Sequence, residues 1–351
     1  MNKKFYLFIL ATMIAVNAFG YEKQTWNYET GAKVTKSSDS QRAHALDIYY
    51  PETGEGPYPV LIYQGGTAWS STNYKETAYN EASAFLEIAL QRGYAVVCPN
   101  NDEISHNPYP GSLHDMKAVV RFLHNNGEGE GISEYPQNID TSFIAISGIL
   151  HGSFMAELIG MSRDMKTEYY EGTVGNFLNN SSSVDAVADF GYAIVMDYNS
   201  YPAFIPGCSD CWFYYKTLYA MFSNIAPTIV IHGTSDNIVF EGDALNAYNN
   251  YLKPALGDDC EYIQHKGTHQ IAGLSNDYYG QVVNFLDRIR AKKAAKAAED
   301  PEESGDPEDP EETEDIQNPN ARNIPAKILH DGQLYLIRDN KIFNAIGAEV
   351  R

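Results

Sequence analysis

The sequence predicts an α/β fold built on a mostly parallel, eight-stranded sheet with helices on both faces. Short, continuous apolar runs such as Tyr94-Ala-Val-Val-Cys98 are typical of strands that are buried on both sides. They alternate with segments of helical spacing over residues 22–290, which favours parallel strands joined by crossover helices. Of the 351 residues, 44% are hydrophobic, so a substantial core can be buried.

Turn residues and apolar spacing delimit the elements in order. The predicted strands cover residues 45–50, 59–63, 94–98, 143–146, 184–190, 228–231 and 261–263, and Pro51 and Pro99 end the first and third of them. A one-sided apolar pattern predicts helices over residues 84–91, 114–124, 154–161, 244–252 and 279–298.

The two ends differ from this central domain, which we assign to residues 21–298. Residues 1–20 have the form of a signal peptide, with Lys3 and Lys4 before a short apolar run, and a buried N-terminal helix is the alternative. No other segment is apolar for long enough to span a membrane. We therefore expect a protein that is secreted or exposed at the cell surface, or held in the periplasm.

The C-terminal part has two predicted pieces. Residues 299–325 form an acidic, disordered linker, and residues 326–351 regain the alternation of a small β module. The linker region 299–315 holds eleven acidic residues and no basic ones, which accounts for much of the net charge of −21. Such a charge excludes nucleic acid and anionic membranes as expected partners, because both need a basic surface.

Cys208 and Cys211 form a lone CxxC pair. In an exported protein this spacing favours a local disulfide over a zinc site, since no second pair accompanies it. The pair is therefore weak evidence for zinc.

The pattern with the clearest chemical meaning is a buried strand followed by Gly148-Ile-Leu150-His-Gly152 and a helix. A nucleophile elbow has this form, with glycines two positions either side of a strained central serine. The central residue here is Leu150, which has no atom that can attack a carbonyl. Ser147 and Ser153 are the nearest hydroxyls and the candidate substitutes.

An acid and a base follow the elbow in the chain order of a catalytic triad. Asp236 comes after one predicted strand, and His269 comes after the next. In that order, Asp236 would orient the His269 ring, and His269 would take the proton of a nucleophile. The sequence therefore predicts that Leu150, Asp236 and His269 meet.

A glycine pair after another strand, in Tyr63-Gln-Gly-Gly-Thr-Ala-Trp69, completes the pattern. The backbone N–H groups of Gly65, Gly66 and His151 are predicted to form an oxyanion hole, and a plain glycine-rich turn is the alternative.

Aromatic residues are the candidate substrate-binding groups. Trp69 follows the glycine pair, and Tyr192 and Trp212 belong to an aromatic-rich insert over residues 192–224. The insert has the position of a lid, where its rings would either line a pocket or pack within the lid.

Several of these pieces resemble one family. They are Leu46-Asp-Ile-Tyr-Tyr-Pro51, the Gly-Gly-x-x-Trp loop, the elbow, His232-Gly-Thr-Ser-Asp236 and Gly267-Thr-His269. The family is the carboxylesterase-type α/β-hydrolases, especially the feruloyl and acetyl-xylan esterase-like branch, and the resemblance covers roughly residues 25–290. It implies an α/β-hydrolase fold and ester cleavage with no metal and no organic cofactor, with Leu150, Asp236 and His269 at the triad positions.

The residues depart from that family at three points. Leu150 replaces the serine, Gln64 replaces a histidine, and Trp69 lies one position late. The tail at 326–351 is similar in spacing to the sorting tails of the type IX secretion system, which implies secretion machinery as a partner. An accessory β-hairpin is the alternative.

Three functions are compatible with the sequence. One is an exported ester hydrolase acting on small or carbohydrate-linked esters, in which Leu150 impairs the serine route. The second is a non-catalytic pseudo-esterase that binds sugar or ester ligands, and the third is a structural extracellular module. In the first two, the expected partner is a small-molecule or polysaccharide ester.

Overall fold

The computed structural model describes residues 21–34, 44–66, 74–101, 110–125, 135–163, 165–191 and 224–299, and the backbone of four short strands between residues 326 and 350. The segments predicted as signal peptide (1–20), lid (192–224) and linker (299–325) lie outside the described residues, except for Asn224 and Glu299.

Eight strands form the central sheet, in the spatial order β1-β2-β4-β3-β5-β6-β7-β8. In chain order they are β1 Lys23–Asn27, β2 Ala45–Tyr49, β3 Tyr58–Gln64, β4 Ala95–Pro99, β5 Ile139–Ile149, β6 Ala186–Phe190, β7 Thr228–Gly233 and β8 Cys260–His265. Strand β2 pairs antiparallel with β1 and β4, and all pairs among β3 to β8 are parallel. The predicted mostly parallel, eight-stranded sheet is confirmed.

The helices lie between these strands. They are α1 Lys75–Glu81, α2 Ser83–Gln91, α3 Gly111–His124, α4 His151–Met161, α5 Glu168–Glu171, α6 Glu241–Ala247, α7 Lys253–Leu256 and α8 Asn276–Glu299. A π-helical turn, Tyr248–Leu252, separates α6 from α7, so the helix predicted over 244–252 is divided. Within the described ranges, no helix combines the length and the apolar content of a membrane span.

Neighbouring residues along each strand pack on opposite faces of the sheet, because side chains alternate along a strand. Ile62 and Ile146 belong to the core that includes α3 and α4. Leu61 and Ala145 belong to the core that includes α1, α2 and α8. Helices therefore cover both faces, as predicted.

The parallel strands end at one edge of the sheet, and this edge positions the candidate site. Strands β3, β5, β6, β7 and β8 end there at Gln64, Ile149, Phe190, Gly233 and His265. Ligands of open parallel sheets bind outside this edge.

The described backbone near the C-terminus forms a separate antiparallel sheet. Its strands β9 Ala326–His330, β10 Gln333–Arg338, β11 Lys341–Asn344 and β12 Glu349–Val350 are arranged in the order β12-β11-β10-β9. A sorting role for these residues stays a prediction.

Candidate active site

Leu150 joins strand β5 to helix α4 with a backbone conformation that L-residues rarely adopt. Its φ is 56° and its ψ is −120°. It stands alone between Ile149, the last residue of β5, and His151, the first residue of α4. Such a conformation costs about 1–3 kcal/mol and persists only where surrounding structure enforces it.

Two glycines allow three backbone segments to cross at this turn. A Cβ atom on Gly148 would lie 2.3 Å from the carbonyl carbon of Gly152. A Cβ atom on Gly152 would lie 2.0 Å from the carbonyl oxygen of Gln64 at the end of β3. No side chain fits at either position, so the glycine spacing is what permits the tight turn at Leu150.

The loops after β7 and β8 bring Asp236 and His269 together. The Nδ1 atom of His269 lies 2.7 Å from Oδ2 of Asp236. When Nδ1 donates its hydrogen to this carboxylate, the lone pair of the neutral ring is on Nε2. Among the described residues, Nε2 of His269 has no hydrogen-bond partner, so it is available as a proton acceptor.

Backbone contacts hold the His269 loop in place. The N–H group of Ser235 donates to the carbonyl of Gly267 at 2.9 Å. Gly191, directly after β6, has a φ of 62°, and a Cβ atom there would lie 3.3 Å from Nδ1 of His269. The absence of a side chain at Gly191 therefore gives the imidazole its room.

The environment of Asp236 favours its ionised form. Burial acts to raise the pKa of Asp236, but hydrogen bonds from His232, His269 and two backbone N–H groups outweigh burial and hold this pKa well below its usual range. The N–H groups of Ile238 and Val239 donate to Oδ1 at 2.8 and 2.9 Å. A carboxylate held in this way can orient His269 and stabilise its protonated form.

His232 is a second imidazole beside the same carboxylate, and it was not among the site residues predicted from the sequence. Its Nε2 atom lies 2.9 Å from the carbonyl oxygen of Val239 and 3.4 Å from Oδ2 of Asp236. Burial acts to lower the pKa of His232, but these acceptors outweigh burial and raise it. Its place four residues before Asp236, in the same motif, is the sequence feature that could have identified it.

A cavity of about 290 Å³ lies at the elbow. The described residues that line it are Gly66, Glu81, Ile149, Leu150, His269, Gln270, Ile271 and Ala272. The structure therefore brings Leu150, His269 and Gly66 to one cavity, with Asp236 bonded to His269. Trp69, Tyr192 and Trp212, the predicted substrate-binding residues, lie outside the described residues, as do Cys208 and Cys211.

Neither candidate substitute nucleophile lines this cavity. The side chains of Ser147 and Ser153 are fully buried, and Ser153 lies near the buried carboxyl of Asp189. Among the described lining residues, Leu150 occupies the position at which an elbow normally carries a nucleophile, and its side chain is entirely apolar.

His151 has a buried side chain, and this burial lowers its pKa to about 3, so the ring is neutral. The contribution predicted for His151 is its backbone N–H group. That group lies in the first turn of α4, where helix N–H groups have no acceptor within the helix.

The glycine pair after β3 packs against Glu81, at the end of α1. The N–H group of Gly66 donates to Oε1 of Glu81 at 3.2 Å, and a Cβ atom on Gly65 would lie 2.7 Å from that oxygen. A Cβ atom on Gly66 would lie 3.1 Å from Cβ of Leu150. The predicted oxyanion loop thus adjoins the elbow, with a carboxyl group beside it that the sequence did not predict.

Comparisons with known proteins agree with this architecture. Residues 46–201 match the family model described as BD-FAE. A truncated carbohydrate esterase from gut microbiota is 26% identical, with 76% of this chain and 96% of that chain covered and a TM-score of 0.62. No curated protein sequence matches the chain.

Two further solved structures are similar. A bifunctional GH43-CE protein from Bacteroides eggerthii is 27% identical, with 71% of this chain covered and a TM-score of 0.59. This chain spans about a third (34%) of that protein's length. Thermogutta terrifontis esterase 2, phosphoramylated by tabun, is 17% identical, with 77% and 94% of the two chains covered and a TM-score of 0.54.

The fold prediction is therefore confirmed, and the chain has an α/β-hydrolase fold. Its similarity to esterases supports a relationship to carboxylic ester hydrolases. The similarity to the Thermogutta protein bears on the fold alone, because its sequence identity is low.

Proposed function

We propose that this protein is an exported pseudo-esterase, which binds an ester or sugar ligand at an ester-hydrolase site without turnover by the serine route. The observation that carries the proposal is Leu150, which has the strained backbone of an elbow and shares a cavity with His269, whose Nε2 atom has no hydrogen-bond partner among the described residues. The base and its supporting acid remain, but the reacting atom between base and ligand is absent.

Because the nucleophile is missing, ligand binding in this protein is not followed by ester cleavage by the serine route. In a serine hydrolase, the hydroxyl transfers its proton to histidine as its oxygen attacks the carbonyl carbon. A leucine side chain has neither a transferable proton nor a lone pair, so no acyl-enzyme can form at residue 150. The cavity and its polar groups can still hold a ligand.

The class of ligand is inferred from the comparisons. The gut-microbiota structure, 26% identical, is described as a carbohydrate esterase, so we propose small or carbohydrate-linked esters, including polysaccharide esters, for this chain. Export rests on the signal-peptide pattern of residues 1–20. Delivery by secretion machinery rests on the spacing of residues 326–351.

The activity test compares the parent protein with Leu150→Ser on p-nitrophenyl acetate and butyrate. The parent should be inert, and Leu150→Ser should hydrolyse both at least about 100-fold above it, because the loss of a triad serine costs far more than this. The control, Leu150→Ser with His269→Ala, should return to background. Parent turnover that His269→Ala abolishes would contradict the proposal of a pseudo-esterase.

Ligand binding is tested separately by retention of the parent protein on immobilised arabinoxylan. Retention that free arabinoxylan competes away would support a carbohydrate-linked ligand. A protein that passes through unretarded would count against that ligand class.

A further inference from the structure

Glu81 is held at the cavity by three neutral donors. Its Oε1 atom accepts hydrogen bonds from the N–H group of Gly66 at 3.2 Å and from the hydroxyl of Tyr63 at 3.4 Å, and Oε2 accepts one from the hydroxyl of Tyr74 at 2.8 Å. Both Glu81 and Gly66 line the cavity with Leu150 and His269. The carboxyl group is therefore a built part of the site.

No cationic side chain neutralises this carboxyl group in the part of the chain that the structure describes. Burial raises the pKa of Glu81, and the hydrogen bonds from Tyr74, Gly66 and Tyr63 oppose burial only in part. The neighbouring lining of Ile149, Leu150 and Ile271 is apolar, which strengthens any charge interaction inside the cavity.

We propose that Glu81 acts as an internal anion, which occupies the Gly66 amide and excludes oxyanions and carboxylates from the cavity. A single N–H hydrogen that already points at a carboxylate is poorly placed to stabilise a second negative oxygen. Two unit charges about 5 Å apart near a protein surface repel strongly enough to change binding by on the order of 100-fold.

This inference rests on the proposed function and deepens it. It gives a second reason, independent of Leu150, why the site should not hydrolyse esters. An ester oxyanion would have to compete with Glu81 for the N–H group of Gly66. It also restricts the ligand to one that is uncharged, or offers hydrogen-bond donors, at this end of the cavity.

The first test leaves Leu150 in place and uses sodium butyrate as the probe, measured by isothermal titration calorimetry at pH 7.5. The variant Glu81→Gln keeps the size of the side chain and removes its charge. It should bind butyrate at least tenfold more tightly than the parent. The control Glu87→Gln lies on α2, away from the cavity, and should behave as the parent does.

Equal butyrate affinities for the parent and Glu81→Gln would overturn the proposal. If Glu81→Gln unfolds, as judged by circular dichroism, Glu81→Ala is measured instead, with the same expectation and the same contrary result. Because this readout needs no nucleophile, it reports on Glu81 even if the proposed function is wrong.

The second test measures hydrolysis of p-nitrophenyl butyrate by Leu150→Ser with and without Glu81→Gln. The double variant should have at least a tenfold higher kcat, because it removes the negative charge beside the oxyanion, and the neutral amide oxygen of glutamine competes less strongly for a Gly66 donor that is worth about 10²–10³ in kcat. An active Leu150→Ser that Glu81→Gln does not improve overturns the Glu81 proposal alone. If both variants are inert while Glu81→Gln gains butyrate affinity, the prediction that Leu150→Ser restores turnover fails, and the proposal for Glu81 is still supported.

Discussion

Leu150 has a backbone that its side chain does not favour, and the packing around it explains why the conformation persists. Its φ of 56° is imposed by the crossing of β3, β5 and α4 at Gly148 and Gly152. The Leu150 side chain is partly buried and packs against both cores of the sheet. In an esterase elbow, the same strain serves to present a nucleophile.

This conformation predicts an unusual order of stability at residue 150. Leu150→Gly and Leu150→Ala lose similar side-chain contacts, but only glycine relieves the positive-φ strain. Leu150→Gly should therefore have a free energy of unfolding about 1 kcal/mol higher than that of Leu150→Ala, measured by urea denaturation.

The control for this comparison is Ala156→Gly, in the interior of α4, where glycine should be the less stable residue by about 1 kcal/mol. If alanine is the more stable residue at both positions, then residue 150 does not have the strained backbone described above.

Helix α4 and strand β6 share a buried pair of acids behind the candidate site. Glu157 on α4 and Asp189 on β6 are both fully buried, and the carboxyl group of Asp189 lies close to that of Glu157 and to the hydroxyl of Ser153. Burial and the nearby charge of Asp189 raise the pKa of Glu157 well above its usual range. Burial also raises the pKa of Asp189. A proton held between the two carboxyl groups would satisfy both.

The buried Glu157–Asp189 pair predicts that the folded protein gains stability in mild acid. Because the folded-state pKa values lie above the unfolded ones, the proton stabilises the fold below about pH 4, and this stability is lost as the pH rises through the raised values. Glu157→Gln removes one titrating group and supplies an amide donor to Asp189. Its free energy of unfolding should exceed that of the parent by about 1–3 kcal/mol at pH 8 and by less at pH 5.

The comparison uses urea denaturation at the two pH values, with Glu87→Gln on α2 as a control that should show no such difference. A Glu157→Gln protein that is destabilised equally at pH 5 and pH 8 would show that the acids do not share a proton.

At the scale of the whole molecule, the elements that could be predicted from the sequence are those whose apolar composition requires a buried position. Strand β4 (Ala95–Pro99) is a continuous apolar run, which only a doubly covered sheet can bury. Strand β1 (Lys23–Asn27) and helix α1 (Lys75–Glu81) are polar, and no local pattern predicts them because their positions depend on pairing with β2 and packing beneath the glycine loop.

Most of the candidate site could be predicted from the sequence for a similar reason, but Glu81 could not. Leu150, Asp236 and His269 each come after a strand of the parallel part of the sheet, and parallel strands bring the residues beyond their carboxyl ends to one edge. Glu81 comes from the polar helix α1, where a lone glutamate is usually solvated. Only the three-dimensional contact with Gly66 gives it a chemical meaning.

The central claim is that His269 still faces the position from which a nucleophile would act, and one measurement tests it without an ester or an oxyanion hole. In Leu150→Cys, the pH dependence of alkylation by iodoacetamide, followed at residue 150 by peptide mass spectrometry, gives the pKa of the new thiol. Burial raises the pKa of Cys98, and raises that of Cys260 to about 12, so both should react slowly as internal controls.

A thiol at the N-terminus of a helix and beside an imidazole should ionise with a pKa below about 7.5, compared with about 8.5 for a free cysteine. Adding His269→Ala should return the pKa of this thiol towards that of a free cysteine. If the thiol introduced by Leu150→Cys ionises near the free-cysteine value whether or not His269 is present, the elbow and the Asp236–His269 pair do not form one site, and the central claim is contradicted.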